Sequence, residues 1–448
     1  MKTKSDSFMR SMLQLAVPVA LQNLLFSSFT LVDTLMIGTL GDTPLAAVGM
    51  AGKWSWFLGI VLFGFASGAG VFIAQYFGAG DTRGIHRTYG LLTLGSLAAS
   101  LVFMAAALLM PEGIIRLFTR DPEAIAIASV YLRIIALSYP LQALARAGGT
   151  LLQSTKQVAI PFIGAACSVA ANVILNALLI FGLCGFPALG AAGAAIASAL
   201  AAAVNAAVIY GLGCKKRTHL RAPLAQVLDI RRNFVLNYVR VSAPALINET
   251  IWALGNLGYN AVFGHISTEA YAATTVVKSI EDLTTIAIWG LGSSCAVMIG
   301  TYVGQGAIEK AKDCGRRHLI LTAALSLLIG AFVIALREPI MSLFGVSHTV
   351  HSMASALLVI YGLEAVLRNL PYMLVCGIFR SGGDTRYGLI VDMISLYLLG
   401  LPLTALAGLV LHASVPVTYL VMYLVEDVFK CIVYGRHFLS GKWIKPVV

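Results

Sequence analysis

The sequence predicts an all-α polytopic membrane protein, with twelve transmembrane helices in two parallel six-helix bundles. Three observations predict it. Of 448 residues, 58% are hydrophobic and 11% charged, with a mean hydropathy of +0.85. A soluble domain carries about 25% charged residues. Apolar stretches near the roughly 20 residues needed to cross a bilayer recur along the whole chain. The second half also repeats the first.

The expected spans are about 12–37, 45–76, 89–110, 124–152, 158–182, 190–213, 236–263, 270–303, 318–336, 350–380, 388–411 and 415–438. The longest must tilt or kink. Tyr139-Pro140 in the fourth and Pro371 in the tenth are candidate kinks, because neighbouring helices can satisfy the freed carbonyls. The basic N-terminus "MKTKSDSFMR" precedes a run too long for a signal h-region and without a small-residue cleavage site, so the run reads as the first span.

Lys and Arg of the short connecting segments set orientation. With the N-terminus inside, the inside segments include "KKRTHLR" (215–221), "RR" (231–232), "KAKDCGRR" (310–317) and "KWIK" (442–445). The outside segments hold only Arg116, Arg120 and Arg337. This asymmetry places both termini in the cytoplasm of a multi-pass inner-membrane protein. The net charge of +11 reads as anchoring to an anionic leaflet rather than nucleic-acid binding, since the basic residues sit at helix ends and form no single patch. The seven cysteines are scattered, with neither metal spacing nor a disulfide framework.

Shifting the chain by 226 residues puts Pro18 on Pro244, Gly38 on Gly264, Ser67 on Ser293, Tyr76 on Tyr302 and Leu117-Phe118 on Leu343-Phe344. Each half holds six spans, so the repeats run parallel, and transporters place substrate sites between such halves. The expected division is 1–213, a cytoplasmic linker 214–234, and 235–448. Small-residue runs such as "GFASGAG" (64–70) and "GAAGAAIASALAAA" (190–203) allow close helix packing.

An acid at bilayer depth is costly and is a functional hypothesis by default. Asp33 interrupts "FTLVDTLMIG" in the first span. Its bland reading is a hydrated cap at the outer interface. Asn172 and Asn176, at i and i+4 on one face of the fifth span, and Ser198 in the sixth share its expected depth. Such oxygens suit a small hard cation, and the carboxylate could instead carry a proton. The second half has Tyr259 at Asp33's repeat position. It carries Glu249, Glu281, Asp282, Glu364, Asp392, Glu426 and Asp427 against Lys278, Arg368 and Lys430. Lys278–Asp282, Glu364–Arg368 and Glu426–Lys430 have ion-pair spacing. That leaves Glu249, Glu281, Asp392 and Asp427 unmatched within their helices, with Asp392 able to reach the cytoplasmic interface and Glu249 the best second functional acid. In the first half, Lys53 reads as snorkelling, and Arg133 and Arg146 either satisfy carbonyls or neutralise Asp33. Trp54, Trp56, Trp252 and Trp289 serve as interface anchors or stack on flat cations.

At this point "LVDTLMIG", "FGAGD" (77–81), "NVILNALLIFG" (172–182), "GAAGAAIAS" (190–198) and "FRSGGDTRYG" (379–388), spread across essentially the whole chain, resemble the multidrug and toxic compound extrusion (MATE) transporters. The resemblance implies a V-shaped two-lobe fold and H+- or Na+-coupled antiport of drugs, often organic cations, by alternating access. It implies no cofactor. It carries the N-lobe cation or proton site onto Asp33, Asn172, Asn176 and Ser198, with Asp33, Asn172 and Asn176 as ligands if the ion is Na+. Glu249 matches the C-lobe acid of the NorM-type branch. Its usual aspartate partner in the tenth helix falls on Asn369 here, a departure from a NorM-style sodium site. Asp392, Glu426 and Asp427, with Lys278, Glu281, Asp282, Glu364, Arg368 and Asn369, look more like a bacterial subgroup with its own charged network. The complete repeat makes a monomer sufficient. The alternative is a flippase for lipid-linked precursors, of related architecture, which calls for a more basic cavity. The chain contains neither H-E-x-x-H nor G-x-x-x-x-G-K-[ST] nor an obvious nucleophile–His motif, which argues against an enzyme.

Overall fold

The computed structural model describes residues 4–229 and 231–448, with side chains from Phe8 onward. Lys2 of the basic N-terminus and Ile230 of the expected linker lie outside the described residues. The first half folds as α1 (Lys4–Gly38), α2 (Asp42–Ala79), α3 (Thr82–Leu109), α4 (Pro122–Ala136), α5 (Tyr139–Ser154), α6 (Ala159–Phe181) and α7 (Gly190–Lys215). The second folds as α8 (Arg232–Ile266), α9 (Thr268–Thr284), α10 (Ile286–Gly304), α11 (Ile308–Ala335), α12 (His348–Gly382), α13 (Thr385–Val410) and α14 (Val415–Ser440). Among the described residues the only extended pairing is an isolated bridge between Gly383 and Ile444.

Local chemistry sets the helix ends. Asp81 caps α3 by accepting from the Gly84 amide at 3.0 Å, and Ser267 caps α9 by accepting from the Ala270 amide at 3.0 Å. Each side chain satisfies one of the donors left free in a first helical turn. Prolines open α4, α5 and α14, where the missing N–H costs no helical bond.

Nine described helices are long and apolar enough to cross a membrane, and α4 with α5, bent by 47° at their break, makes a tenth. The break falls just before Tyr139-Pro140, the expected kink. The eighth expected span is interrupted at Thr285, between α9 and α10. Spans 236–263 and 415–438 fold as α8 and α14, but polar residues lower their apolarity: Asn248, Glu249 and Asn256 in one, Glu426, Asp427 and Lys430 in the other. At Pro371 the helix is not broken. It passes into π-helical bonding over Met373–Phe379, as α13 does over Ile394–Gly400 and Leu406–Val410 around Pro402. A proline lacks a donor, and a wider turn re-registers the bonds around it.

The contacts divide the chain into two compact units, Leu21–Ser242 and Met1–Ala20 with Ala243–Val448. The expected cuts lay instead at the ends of the 214–234 segment. The difference arises because the first parts of α1 and α8 pack with the opposite half of the sequence. In the second-half unit, a Cβ on Gly290 would lie 2.7 Å from the Ala16 carbonyl oxygen. In the first-half unit, a Cβ on Gly68 would lie 2.1 Å from Ser242 Oγ, and the Tyr238 hydroxyl donates to the Phe65 carbonyl at 3.3 Å. Both changes of unit fall within two residues of Pro18 and Pro244.

The linker itself is docked. Gly90 on α3 meets the single helical turn Leu224–Val227 so closely that a Cβ there would fall 1.9 Å from the Val227 carbonyl oxygen. Arg87 pairs with Asp229, and His86 Nδ1 bonds Gln226 Oε1 at 2.7 Å. The hydrogen bond from Arg87 holds the Asp229 carboxyl below its ordinary range. Burial, helped by the neighbouring His86, pushes the His219 imidazole down.

Each unit has its own core. Ile37, Ala47, Leu58, Leu132 and Ala195 belong to that of the first-half unit. Phe263, Val277, Leu357, Tyr361 and Tyr419 belong to that of the second. The small-residue run at 190–203 does what its composition predicts: Gly193 lets α7 approach α6 until a Cβ would sit 2.3 Å from the Leu179 carbonyl oxygen.

Candidate functional site

In the first-half unit the four residues expected together are together. Asn176 Nδ2 donates to Asp33 Oδ1 at 2.7 Å and to Asn172 Oδ1 at 3.0 Å. Asn172 Nδ2 donates in turn to Ser198 Oγ at 3.2 Å. Both asparagines are fully buried. The helical i, i+4 spacing on α6 stacks the two amides, and the tight α6–α7 approach brings Ser198 within reach. Asn176 Oδ1 is buried with no hydrogen-bond partner among the described residues. It and the carboxylate are the open acceptors of the cluster, which suits a proton or a small cation.

Sequence reasoning missed Tyr131 on α4. Its hydroxyl hydrogen-bonds Ser198 and it lies close to Asp33. Nothing marked it within an apolar span. Lys53, Arg133 and Arg146 are exposed. Among the described residues neither Arg133 nor Arg146 makes an ion pair. Arg146 instead lies 5.7 Å from the Phe63 ring centroid.

The second-half unit joins its charges across helices. Arg380 donates to Glu249 Oε1 at 2.7 Å and to Asn248 Oδ1 at 2.6 Å. Asn248 Nδ2 donates to Asp392 Oδ2 at 2.8 Å, and the Tyr434 hydroxyl donates to Asp392 Oδ1 at 2.8 Å. Lys430 Nζ lies 3.1 Å from Asp392 Oδ1 and 2.5 Å from Glu426 Oε1, and the Tyr259 hydroxyl donates to Glu426 Oε2 at 2.7 Å. A second group centres on Arg368, which reaches Glu281 at 2.7 Å and Asp427 at 3.8 Å and lies 4.1 Å from the Tyr423 ring centroid. Lys278 adds pairs with Glu281 at 3.4 Å and Asp282 at 2.9 Å.

Of the three spacing-based pairs, Lys278–Asp282 and Glu426–Lys430 form. Glu364–Arg368 does not. Arg368 turns to Glu281 and Asp427 on neighbouring helices, and both Glu364 carboxylate oxygens are buried without a hydrogen-bond partner among the described residues. Glu249, Asp392 and Asp427, unmatched within their helices, find partners between helices; Glu281, expected to be unmatched as well, pairs both with Lys278 one turn earlier on α9 and with Arg368 on α12, because i, i+3 spacing also puts two side chains side by side. Asp392 is enclosed within the network: its side chain is 14% exposed and held by Asn248, Lys430 and Tyr434. Asn369 donates to Ser326 Oγ at 3.0 Å. The partner sequence reasoning overlooked is Arg380, which stood inside the quoted "FRSGGDTRYG" as part of a motif rather than as a charge.

A pocket opens within the second-half unit, with Trp252, Tyr259, Tyr419, Tyr423 and Glu426 among its walls. Of the four tryptophans weighed as cation stackers, Trp252 lines it. Trp54 packs on Phe103 at 4.8 Å between ring centroids. Trp56 and Trp289 are 51% and 36% exposed. Among the described residues no group of three or more His, Cys, Asp or Glu has metal-holding geometry.

A family model described as MatE matches residues 18–178 and 244–406, two stretches that begin at the repeat-related Pro18 and Pro244. A Thermotoga maritima protein described as a probable multidrug resistance protein NorM is 24% identical over 100% of this chain and 96% of its own. A Deinococcus radiodurans protein of the same description is 28% identical over 90% of this chain and 89% of its own. A crystal structure of a variant of the Vibrio cholerae MATE transporter VcmN superposes with a TM-score of 0.90 at 19% identity, covering 100% of this chain and 99% of that one, which shows the fold.

Proposed function

Because the chain belongs to the MatE family, whose members are transporters and not enzymes, we propose that it exports drugs and organic cations by alternating access. Export is driven by H+ or Na+ moving inward, with Asp33 as the principal coupling carboxylate. Asn172, Asn176 and Ser198 complete the coupling site, and Glu249 is the acid to compare with it in the second half. The protein lies in the inner membrane with both termini in the cytoplasm, and one copy suffices. Names of relatives, which describe multidrug resistance proteins, support the cargo class. The flippase alternative is not favoured. The second-half network is rich in carboxylates, and its four cations are committed to them.

The observation that carries the reading is the 2.7 Å bond from Asn176 to Asp33, inside a cluster that still offers an unpartnered buried oxygen. A charged Asp33 holds these ligands, and a neutralised one releases them. That gives the ion a differential contact with two states, as coupling requires. The test is efflux of a fluorescent organic cation from proteoliposomes under a pH gradient or a sodium gradient, for the wild type and Asp33→Asn. The wild type responds to one gradient and the variant to neither. Full gradient-driven efflux by Asp33→Asn removes Asp33 from the coupling role.

A further inference from the structure

The repeat puts Tyr259 where the first half has Asp33. A carboxylate nonetheless arrives at the same place, delivered from α14: the Tyr259 hydroxyl donates to Glu426 Oε2 at 2.7 Å. The three helices that build the Asp33 cluster are the first, fifth and sixth spans of their half. The same three spans of the second half, α8, α13 and α14, meet at Tyr259, Gly400 and Glu426. Gly400 makes the meeting possible, since a Cβ there would lie 2.1 Å from the Tyr259 hydroxyl and 3.2 Å from Glu426 Oε2.

The two clusters differ in one respect. Asp33 has amide and hydroxyl neighbours and, among the described residues, no ammonium or guanidinium bonded to it. At Glu426 an ammonium is built in. Lys430 Nζ sits between Glu426 Oε1 at 2.5 Å and Asp392 Oδ1 at 3.1 Å, with its side chain 8% exposed. An ammonium held between two carboxylate oxygens occupies the place a free monovalent cation would take.

We propose that the second-half unit holds a counterpart of the Asp33 site in which the Lys430 ammonium permanently replaces the exchangeable cation, so that this protein takes up its coupling ion in the first-half unit alone. The proposal rests on the coupling reading of Asp33 for its consequence, but its geometry and its test do not.

Vacating Lys430 uncovers the hidden site. With the first-half site removed by Asp33→Asn, the double variant D33N/K430M has Glu426 and Asp392 facing a cation-sized gap. Its thermal unfolding in detergent is compared in sodium chloride, methylammonium chloride and choline chloride. Sodium or methylammonium is expected to raise the midpoint by about 5 °C at saturation relative to choline. The parent D33N shows no such rise, and adding Glu426→Gln abolishes it. If D33N/K430M is recovered folded only when purified in sodium or methylammonium, that also supports the proposal. A folded D33N/K430M indifferent to all three salts overturns it, and so does a variant that neither small cation recovers. No transport is measured, so failure here is separate from failure of the exporter reading.

Discussion

Gly400→Ala tests how tightly the Tyr259–Glu426 contact is built. The new methyl group would stand 2.1 Å from the Tyr259 hydroxyl oxygen, when ordinary contact begins at 3.4 Å. The ring has little freedom to retreat along α8, because that helix is closely packed there: a Cβ on Gly258 would lie 2.9 Å from Leu401, and one on Gly255 2.2 Å from Leu396. The hydroxyl must therefore leave Glu426. A hydrogen bond to a charged group contributes about 1.5–3 kcal/mol, and overpacking costs about 1–3 kcal/mol more. Replacing glycine in a helix returns about 1 kcal/mol. The net loss is about 1.5–5 kcal/mol, or roughly 2–5 °C in the unfolding midpoint of a chain this long, read by thermal denaturation of the purified protein. Tyr259→Phe removes the clashing oxygen, so Y259F/G400A should be more stable than G400A alone, a strongly non-additive cycle. A G400A variant within about 1 °C of wild type, or a double variant no better than the single, refutes the packing argument.

Asn176→Ala should leave expression intact and slow gradient-driven efflux more than tenfold, because about 1.5–3 kcal/mol of support for the Asp33 carboxylate is withdrawn; the initial efflux rate in proteoliposomes is the readout. Arg368→Met should destabilise by about 3–5 kcal/mol, because Glu281 and Asp427 lose their shared cation in a buried setting. R368M/E281Q should recover part of that loss, and a thermal-denaturation series shows whether it does. The Asp229 carboxyl is held below its ordinary value of 3.8 by the hydrogen bond from Arg87. Its contribution is therefore present above that pH and fades as pH falls through the lower value. Amide exchange around residues 224–229 should stay slow from pH 7 to about 5 and quicken below about 4; Asp229→Asn should exchange fast throughout.

Helix content, the repeat and the Asp33 cluster were legible because each rests on local pattern. An i, i+4 pair of asparagines shares a helix face wherever the helix packs, and a glycine-alanine run predicts a close neighbour. The charged network was legible as a list of residues but not as a wiring. Spacing within one helix predicted Glu364–Arg368, yet Arg368 found Glu281 on α9 and Asp427 on α14, since bridging two helices pairs two acids with one guanidinium. Arg380 was invisible as a partner for Glu249 because 131 residues separate them. The unit boundaries were hidden for a related reason: hydropathy sees where a helix starts, not which neighbours its first turns meet. Tyr131 gave no signal, as a lone tyrosine in an apolar span usually packs.

The docking of residues 224–229 onto α3 has a practical consequence for anyone re-engineering the chain. By composition the segment between the repeats is the natural place to splice a reporter or separate the halves into two polypeptides. Gly90 and Arg87 make its latter part a poor splice point, since an insert there would have to pry Val227 from a backbone it touches directly. Residues 216–217, just past α7, are the exposed Lys216 cap and the exposed Arg217, and offer the gentler seam. Two half-length chains cut there should reassemble more readily than two cut at 226.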